Sequence, residues 1–188
     1  MTQDDMTKTV HLALRKMVDE LARKYPGKKP ARTPKRLSVK DIETHPELFQ
    51  PRMGVIDDDH VEDLVRALKA KGHKGDLDPI LVVMGEETHL LVDGHHRLEA
   101  YRVQGRKSIP VKLFQGTLEQ AVLAAGKANS KVKKPMSPAE RLSFAWRLVR
   151  LDTYSISQIA EASGVSQRQV SFMRRIRAEL REQVEGHD

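Results

Sequence analysis

The stretch Leu90–Gly105, "LLVDGHHRLEAYRVQG", constrains the fold of this chain more than any other. An apolar run ends on Asp93-Gly94 and passes at once into a helical pattern, so a strand must stop where a helix begins. Two histidines and an arginine sit at that junction, and three chemistries compete for them. Metal binding would need side chains that converge on one ion. His95 and His96 are adjacent and point about 100° apart on a helix, whereas residues four apart would converge. No further cluster of carboxylates or histidines stands at ligand spacing nearby, so the metal set is read as none. Nucleophilic catalysis lacks a candidate, since the chain has no cysteine and no serine flanked by an obvious base. Phosphate binding suits the geometry: Gly94 lets the backbone turn closely, and the first N–H groups of a helix attract anions. His96 and Arg97 add side-chain donors, and Arg97 can grip two oxygens at once. The competing structural reading is that His95 caps the helix or fills a small pocket.

Composition narrows the classes. The 188 residues are 39% hydrophobic but only 4% aromatic, so a core must rest on Leu, Val, Ile, Ala and Met. No apolar run approaches the ~20 residues of a membrane-spanning helix, and the N-terminus lacks the basic-then-apolar pattern of a secretory leader. The absence of cysteine agrees with a reducing cytoplasm. Net charge is +7, unevenly placed. Residues 1–36 carry 10 Lys/Arg against 4 acids, 37–126 carry 11 against 15, and 127–188 carry 12 against 7. A polyanion would prefer the two ends.

Along the chain, Val10, Leu14, Met17, Val18 and Leu21 recur at helical spacing, which predicts an amphipathic helix within residues 1–25. "PGKKPARTPKR", Pro26 to Arg36, has three prolines and five basic residues and reads as a linker. From Leu37 the pattern turns globular. "RLSVKDI" reads as one short strand, His60 to Lys71 as a helix, and "PILVVM" and "THLLVD" as strands around a Gly85-Glu86-Glu87 turn. A helix from His95 to about Gln104, a strand "IPVKLF" and a helix from Leu118 to about Asn129 follow. Ser137-Pro138-Ala139-Glu140 has the form of a helix cap, and everything after it reads as helical. The fold class is therefore α+β, with a small sheet-containing domain over 37–129 followed by an all-α domain over 130–188.

Within the latter, "SISQIAEASGVSQRQVSFMRRI", Ser155 to Ile176, has the spacing of a helix-turn-helix. Ala160 is small where two helices cross, Gly164 can take the positive φ of the turn, and Val165, Val170 and Met173 face inward. Ser166 caps the second helix and places Gln167, Arg168, Gln169 and Ser171 on its exposed first turns, able to bond base edges and phosphates. Arg174, Arg175 and Arg177 add attraction to phosphates. The plain alternative is a helical hairpin that serves packing only.

"GHHRLEAYR" after a hydrophobic strand resembles the phosphate-binding segment of the ParB N-terminal and sulfiredoxin-like fold, where ParB proteins carry G-E-R-R, sulfiredoxins G-C-H-R and some kinase relatives G-H-H-R. "ELFQPR" (Glu47 to Arg52) is similar to the N-P-x-Q-P-R entrance of ParB domains, and "VEDLVRALKAKG…LDPILV" to their helix and first core strand. "KSIPVKLF", Asn129 and "MSPAERLSFAWRLV" repeat the ParB order, so the resemblance covers roughly Leu37 to Ile176. It implies a mixed sheet in the first domain, and a nucleotide, CTP or ATP, whose phosphates lie on Gly94, His95, His96 and Arg97, with Asn129 matching the asparagine of the third nucleotide motif. Three departures stand out. Ala128 replaces the glutamate that ligates Mg²⁺, His95-His96 replace Glu-Arg, and "LDP" with Asp78 replaces a motif ending Gln-Pro or Thr-Pro. A lost magnesium carboxylate removes charge on which phosphoryl chemistry depends, so Mg²⁺ and catalysis stay open. The sequence runs a dozen residues past the helix-turn-helix, so the expectation is either a ParB-like chain without the C-terminal dimerisation domain of full ParB proteins or a fragment of a longer one.

The expectation is a cytoplasmic, nucleoid- or plasmid-associated protein of partition or mobile-element regulation. Its partners would be double-stranded DNA and a nucleotide, with a homodimer and a ParA-type ATPase implied by the family and no membrane. Two alternatives remain: an ATPase, nuclease or small-molecule kinase of the same fold, and a repressor indifferent to nucleotide. For an enzyme, Asp93, Glu99 and Asp57 to Asp59 are the only candidate bases near by in sequence.

Overall fold

The computed structural model describes residues 3–27, 33–50, 56–72, 75–130 and 136–185, with side chains described within 14–127 and 136–180. The order is α1 (Gln3–Lys24), β1 (Arg36–Ser38), a 3-10 turn (Val39–Asp41), β2 (Ile42–Glu43), α2 (Pro46–Phe49), α3 (Asp58–Ala70), β3 (Ile80–Met84), β4 (His89–Asp93), α4 (His95–Val103), β5 (Ser108–Leu113), α5 (Leu118–Ser130), α6 (Pro138–Leu151), α7 (Ile156–Ser163) and α8 (Gln167–Glu185).

The five strands form a mixed sheet in the order β1-β5-β3-β4-β2. β3 pairs antiparallel with β4 and parallel with β5. The "RLSVKDI" segment is not one strand. The turn at Val39–Asp41 splits it, so that β1 pairs antiparallel with β5 while β2 pairs parallel with β4, at the opposite edge. Four residue steps from Ser38 to Ile42 reach at most ~14 Å, whereas the edges of a flat five-stranded sheet lie ~19 Å apart. The sheet therefore curls, and a polar Lys-Asp turn inside an alternating pattern is what lets the chain cross. Arg36, placed in the linker by composition, begins β1 and pairs with Asp76.

Alternate side chains of β3 and β4 point to opposite faces, and both faces are buried. Val82 and Leu91 join Ile80, Ile109, Val111, Leu98 and Tyr101 in a core under α3 and α4. Val83, Leu90 and Val92 join a second core built with α1, α2 and α5–α8, centred on Phe49, Leu118, Phe144, Leu148 and Ile159. Double burial explains why these strands read as unbroken apolar runs. The helices after Ser137 thus share a core with the sheet, and α5 is the bridge. A Cβ on Gly126 of α5 would lie 2.4 Å from the Phe144 ring and 2.8 Å from the Ala162 carbonyl of α7, so only glycine permits this approach.

Local chemistry sets the helix ends. Ser137 caps α6 in a full capping box with Glu140, and Ser155 caps α7 with Gln158 in the same way. Asp57 caps α3 by accepting from the His60 N–H at 3.2 Å, so the helix begins at Asp58, two residues before the start suggested by hydrophobic periodicity.

Candidate functional site

The junction of β4 and α4 is built on Gly94, whose φ of 107° lies in the left-handed region. A Cβ there would sit 2.6 Å from Ile80 Cγ2, so conformation and space both demand glycine. The helical ladder opens with Leu98 N–H donating to the Gly94 carbonyl at 2.9 Å. The N–H groups of His95, His96 and Arg97 precede it and form the positive end of the helix.

The side chains at this end are occupied differently from what their spacing suggested. Arg97 donates through Nη1 to the carbonyls of Asp78, at 3.0 Å, and Pro79, and through Nη2 to Asp93 Oδ2 at 2.8 Å. In this structure it fastens the "LDP" segment to the start of α4 instead of presenting an open fork. His96 Nε2 accepts from the Asp57 N–H at 3.1 Å, and the His96 ring meets His60 edge-on at 5.1 Å. It thereby joins α4 to the cap of α3, and acceptance at Nε2 places the proton of the neutral ring on Nδ1. His95 is held among the packed elements with Nε2 buried and unpartnered. Burial pushes its pKa down to about 4, so the imidazole is neutral near pH 7 and offers an anion no charge. What this end presents to an anion is main-chain amides beside a neutral ring. Asn129 lies in the last turn of α5, its side chain outside those described, as is the "KVKKP" loop. Among the described residues no group of three or more His, Asp or Glu could hold a metal ion.

Two polar clusters escaped the sequence reading. Where α2 meets α6, Arg147 Nη1 donates to the Gln50 carbonyl at 3.0 Å, while Gln50 Nε2 and Arg150 Nη2 are buried without partners. Burial lowers the pKa of both arginines. The signal was present in "FAWRLVRL", two cations inside an apolar helical run, but the partner that Arg147 finds depends on the end of α2. At the other end of α2, Glu43 accepts from Lys24, from Tyr25 Oη at 2.7 Å and from His45 Nε2 at 2.9 Å. Burial opposes the charge on Glu43, but these hydrogen bonds outweigh it and hold the carboxyl at about 2. The cluster ties the end of α1 to β2.

In the helical part, α7 and α8 are joined by three residues. Gly164 has a φ of 71° and ends α7. Ser166 Oγ accepts from the Gln169 N–H at 3.2 Å, capping α8. Val170 and Met173 are buried, and Val165 packs against the same core. Gln167, Arg168, Gln169, Ser171 and Arg175 are exposed, as is Ser166 itself. Arg174 and Arg177, expected to add attraction to phosphates, are both engaged within the protein. Arg174 donates to the Tyr154 carbonyl, and Arg177 pairs with Asp152 at 2.6 Å, where Asp152 holds a left-handed φ of 58° at the end of α6. Both lie on the inward side of α8, next to Val170 and Met173 on the wheel.

No helix among the described residues is long and apolar enough to cross a membrane. The chain is 34% identical over 125 residues to a protein of Streptomyces griseus described as "Streptomycin biosynthesis operon possible regulatory protein". That match takes in 66% of this chain and spans about a third (33%) of the relative's length. Among solved structures it is similar to C-terminally truncated ParB, the chromosome-partitioning protein of Caulobacter crescentus. The form complexed to the centromeric parS site shows 20% identity and a TM-score of 0.49 over 81% of this chain and 79% of that one. The form complexed with CTP-gamma-S shows 22% identity and a TM-score of 0.43 over 76% and 77%. Residues 27–130, more than half of the chain, match the ParB N-terminal domain, and the chain belongs to that family.

Proposed function

We propose that this chain binds double-stranded DNA by placing α8 in the major groove, with α7 packed across it as the first helix of a helix-turn-helix, as a partition or regulatory member of the ParB family. The observation that carries this reading is the division of α8. Val170, Met173, Arg174 and Arg177 are committed to the protein, which leaves Gln167, Arg168, Gln169, Ser171 and Arg175 facing outward. These are donors and acceptors suited to base edges and phosphates, at the N-terminal part of the helix where major-groove readers make contact. The excess of base over acid in residues 127–188 supplies the long-range attraction.

The finer part of the proposal is a nucleotide at the start of α4 that adjusts the DNA-binding helices. Its support is the glycine cradle, the three leading amides and the family to which the chain belongs, for whose segregation members CTP is the nucleotide. With Arg97 engaged by Asp78, Pro79 and Asp93, the phosphates would rest on main-chain N–H groups, and Arg97 would act by holding the loop. Gly126 makes α5, which carries Asn129, the mechanical link to α7. A homodimer on paired half-sites and a ParA-type ATPase partner belong to the same reading.

The test is fluorescence polarisation on random-sequence duplex DNA across a salt series. Each phosphate contact contributes about 0.9 to the slope of log affinity against log salt, so a slope of about −3 or steeper is expected, with weaker binding in Arg168→Ala. A flat salt response, or full affinity in Arg168→Ala together with Gln167→Ala, overturns the DNA reading. Repeating the series with CTP and with ATP, with and without Mg²⁺, tests the second part. Affinity unchanged by either nucleotide makes the protein a nucleotide-independent binder.

A further inference from the structure

The outward face of α8 contains a residue that neither packing nor phosphate attraction explains. Phe172 is 47% exposed. Val170, Met173 and Arg177 mark the buried side of the helix, and at 100° per residue Arg168, Phe172 and Arg175 lie nearly opposite it, at positions i, i+4 and i+7. The phenyl ring therefore stands at the crest of the exposed face between two exposed guanidinium groups. The Arg175 guanidinium lies over the ring, 5.2 Å from its centroid. That stack orients the ring, and the Arg175 side chain is also drawn toward Glu179, with Nε 3.7 Å from Oε1. Val103, Leu142 and Leu180 are exposed as well, and scattered exposed apolar residues need no function. Phe172 differs by its place: it is the apolar centre of a cationic stripe.

We propose that Phe172 is a specificity-determining residue that packs on the 5-methyl group of a thymine in the major groove. The inference rests on the DNA reading of α8 and deepens it. Two flanking arginines attract phosphates and base acceptors, so a duplex lying along this stripe brings its groove floor to the ring. Along that floor the donors and acceptors of the bases are matched by polar side chains, and the thymine methyl is the one apolar feature. A ring already stacked beneath Arg175 offers it a flat surface at little ordering cost.

The full chain is first used to select duplexes from a random-sequence pool, with wild type and Phe172→Ala run side by side. Each thymine of the selected site is then replaced singly by uracil, which deletes only the methyl. Burial of one such group is worth about 0.8 kcal/mol, so wild type should lose about fourfold in affinity at one thymine per half-site. Phe172→Ala should bind the thymine and uracil duplexes equally, and Phe172→Leu should restore part of the difference. If wild type enriches a site but no uracil substitution changes its affinity, the inference fails while the DNA reading stands. If wild type enriches nothing and binds without salt dependence, both fall together. If Phe172→Ala keeps the sequence preference and instead changes the sedimentation of the free protein, the ring contacts a second copy and the inference is overturned.

Discussion

Acidification from pH 7 to pH 5 should cost this fold about 2 kcal/mol through His95 alone. The unfolded imidazole titrates near 6.5 and the folded one at about 4. Burial with an unpartnered Nε2 is the cause, because a proton taken up there would place a charge in a site with little solvation. The folded value is the lower one, so the unfolded chain binds more protons between these pH values and stability rises with pH. The contribution is complete above about 6.5 and disappears as pH falls toward 4. At about 1.4 kcal/mol per pH unit the whole gap corresponds to about 3 kcal/mol, of which about 2 is lost by pH 5. His45 works in the opposite direction. Burial would lower its pKa, but hydrogen bonds to Glu43 and Glu47 raise it, so its contribution is full at low pH and fades as pH rises. The discriminating comparison is therefore wild type against His95→Gln, both retaining His45, by urea denaturation at pH 7, 6 and 5 without nucleotide. The stability difference between the two proteins should shift toward the variant by about 2 kcal/mol across this interval. Parallel losses in the two proteins would refute the assignment.

Three further outcomes follow from the same geometry. Gly94→Ala combines a positive φ with an overlap against Ile80 and should destabilise by about 3 kcal/mol in urea denaturation; a loss below about 1 kcal/mol would mean that β4 and α4 meet less tightly than described. Ser155→Ala removes the α7 capping box and should cost about 1 kcal/mol, with hydrogen exchange rising first in the N–H groups of the first turn of α7. Arg177→Ala removes the ion pair to Asp152 at the end of α6 and should lower Tm by about 3 °C while leaving the salt slope of DNA binding unchanged, whereas a shallower slope would place Arg177 on the DNA side.

Much of this architecture is local and was open to reading from residue order alone. Ser137 with Glu140 marks the start of α6, Gly164 and Ser166 mark the turn before α8, and the apolar runs of β3 and β4 mark strands, because caps, turns and alternation act within a few residues. The run from "ELFQPR" through "GHHR" to "SPAERL" was likewise legible as a family pattern. What tertiary structure alone decided is the destination of side chains with long reach. Arg97 turns to carbonyls 18 and 19 residues away, Arg174 and Arg177 turn inward to Tyr154 and Asp152, and "RLSVKDI" divides between two edges of one sheet. The wheel position of an arginine states which way its Cβ points, but its guanidinium lies several ångströms further on, and the partner that it finds there is set by whichever distant segment packs alongside.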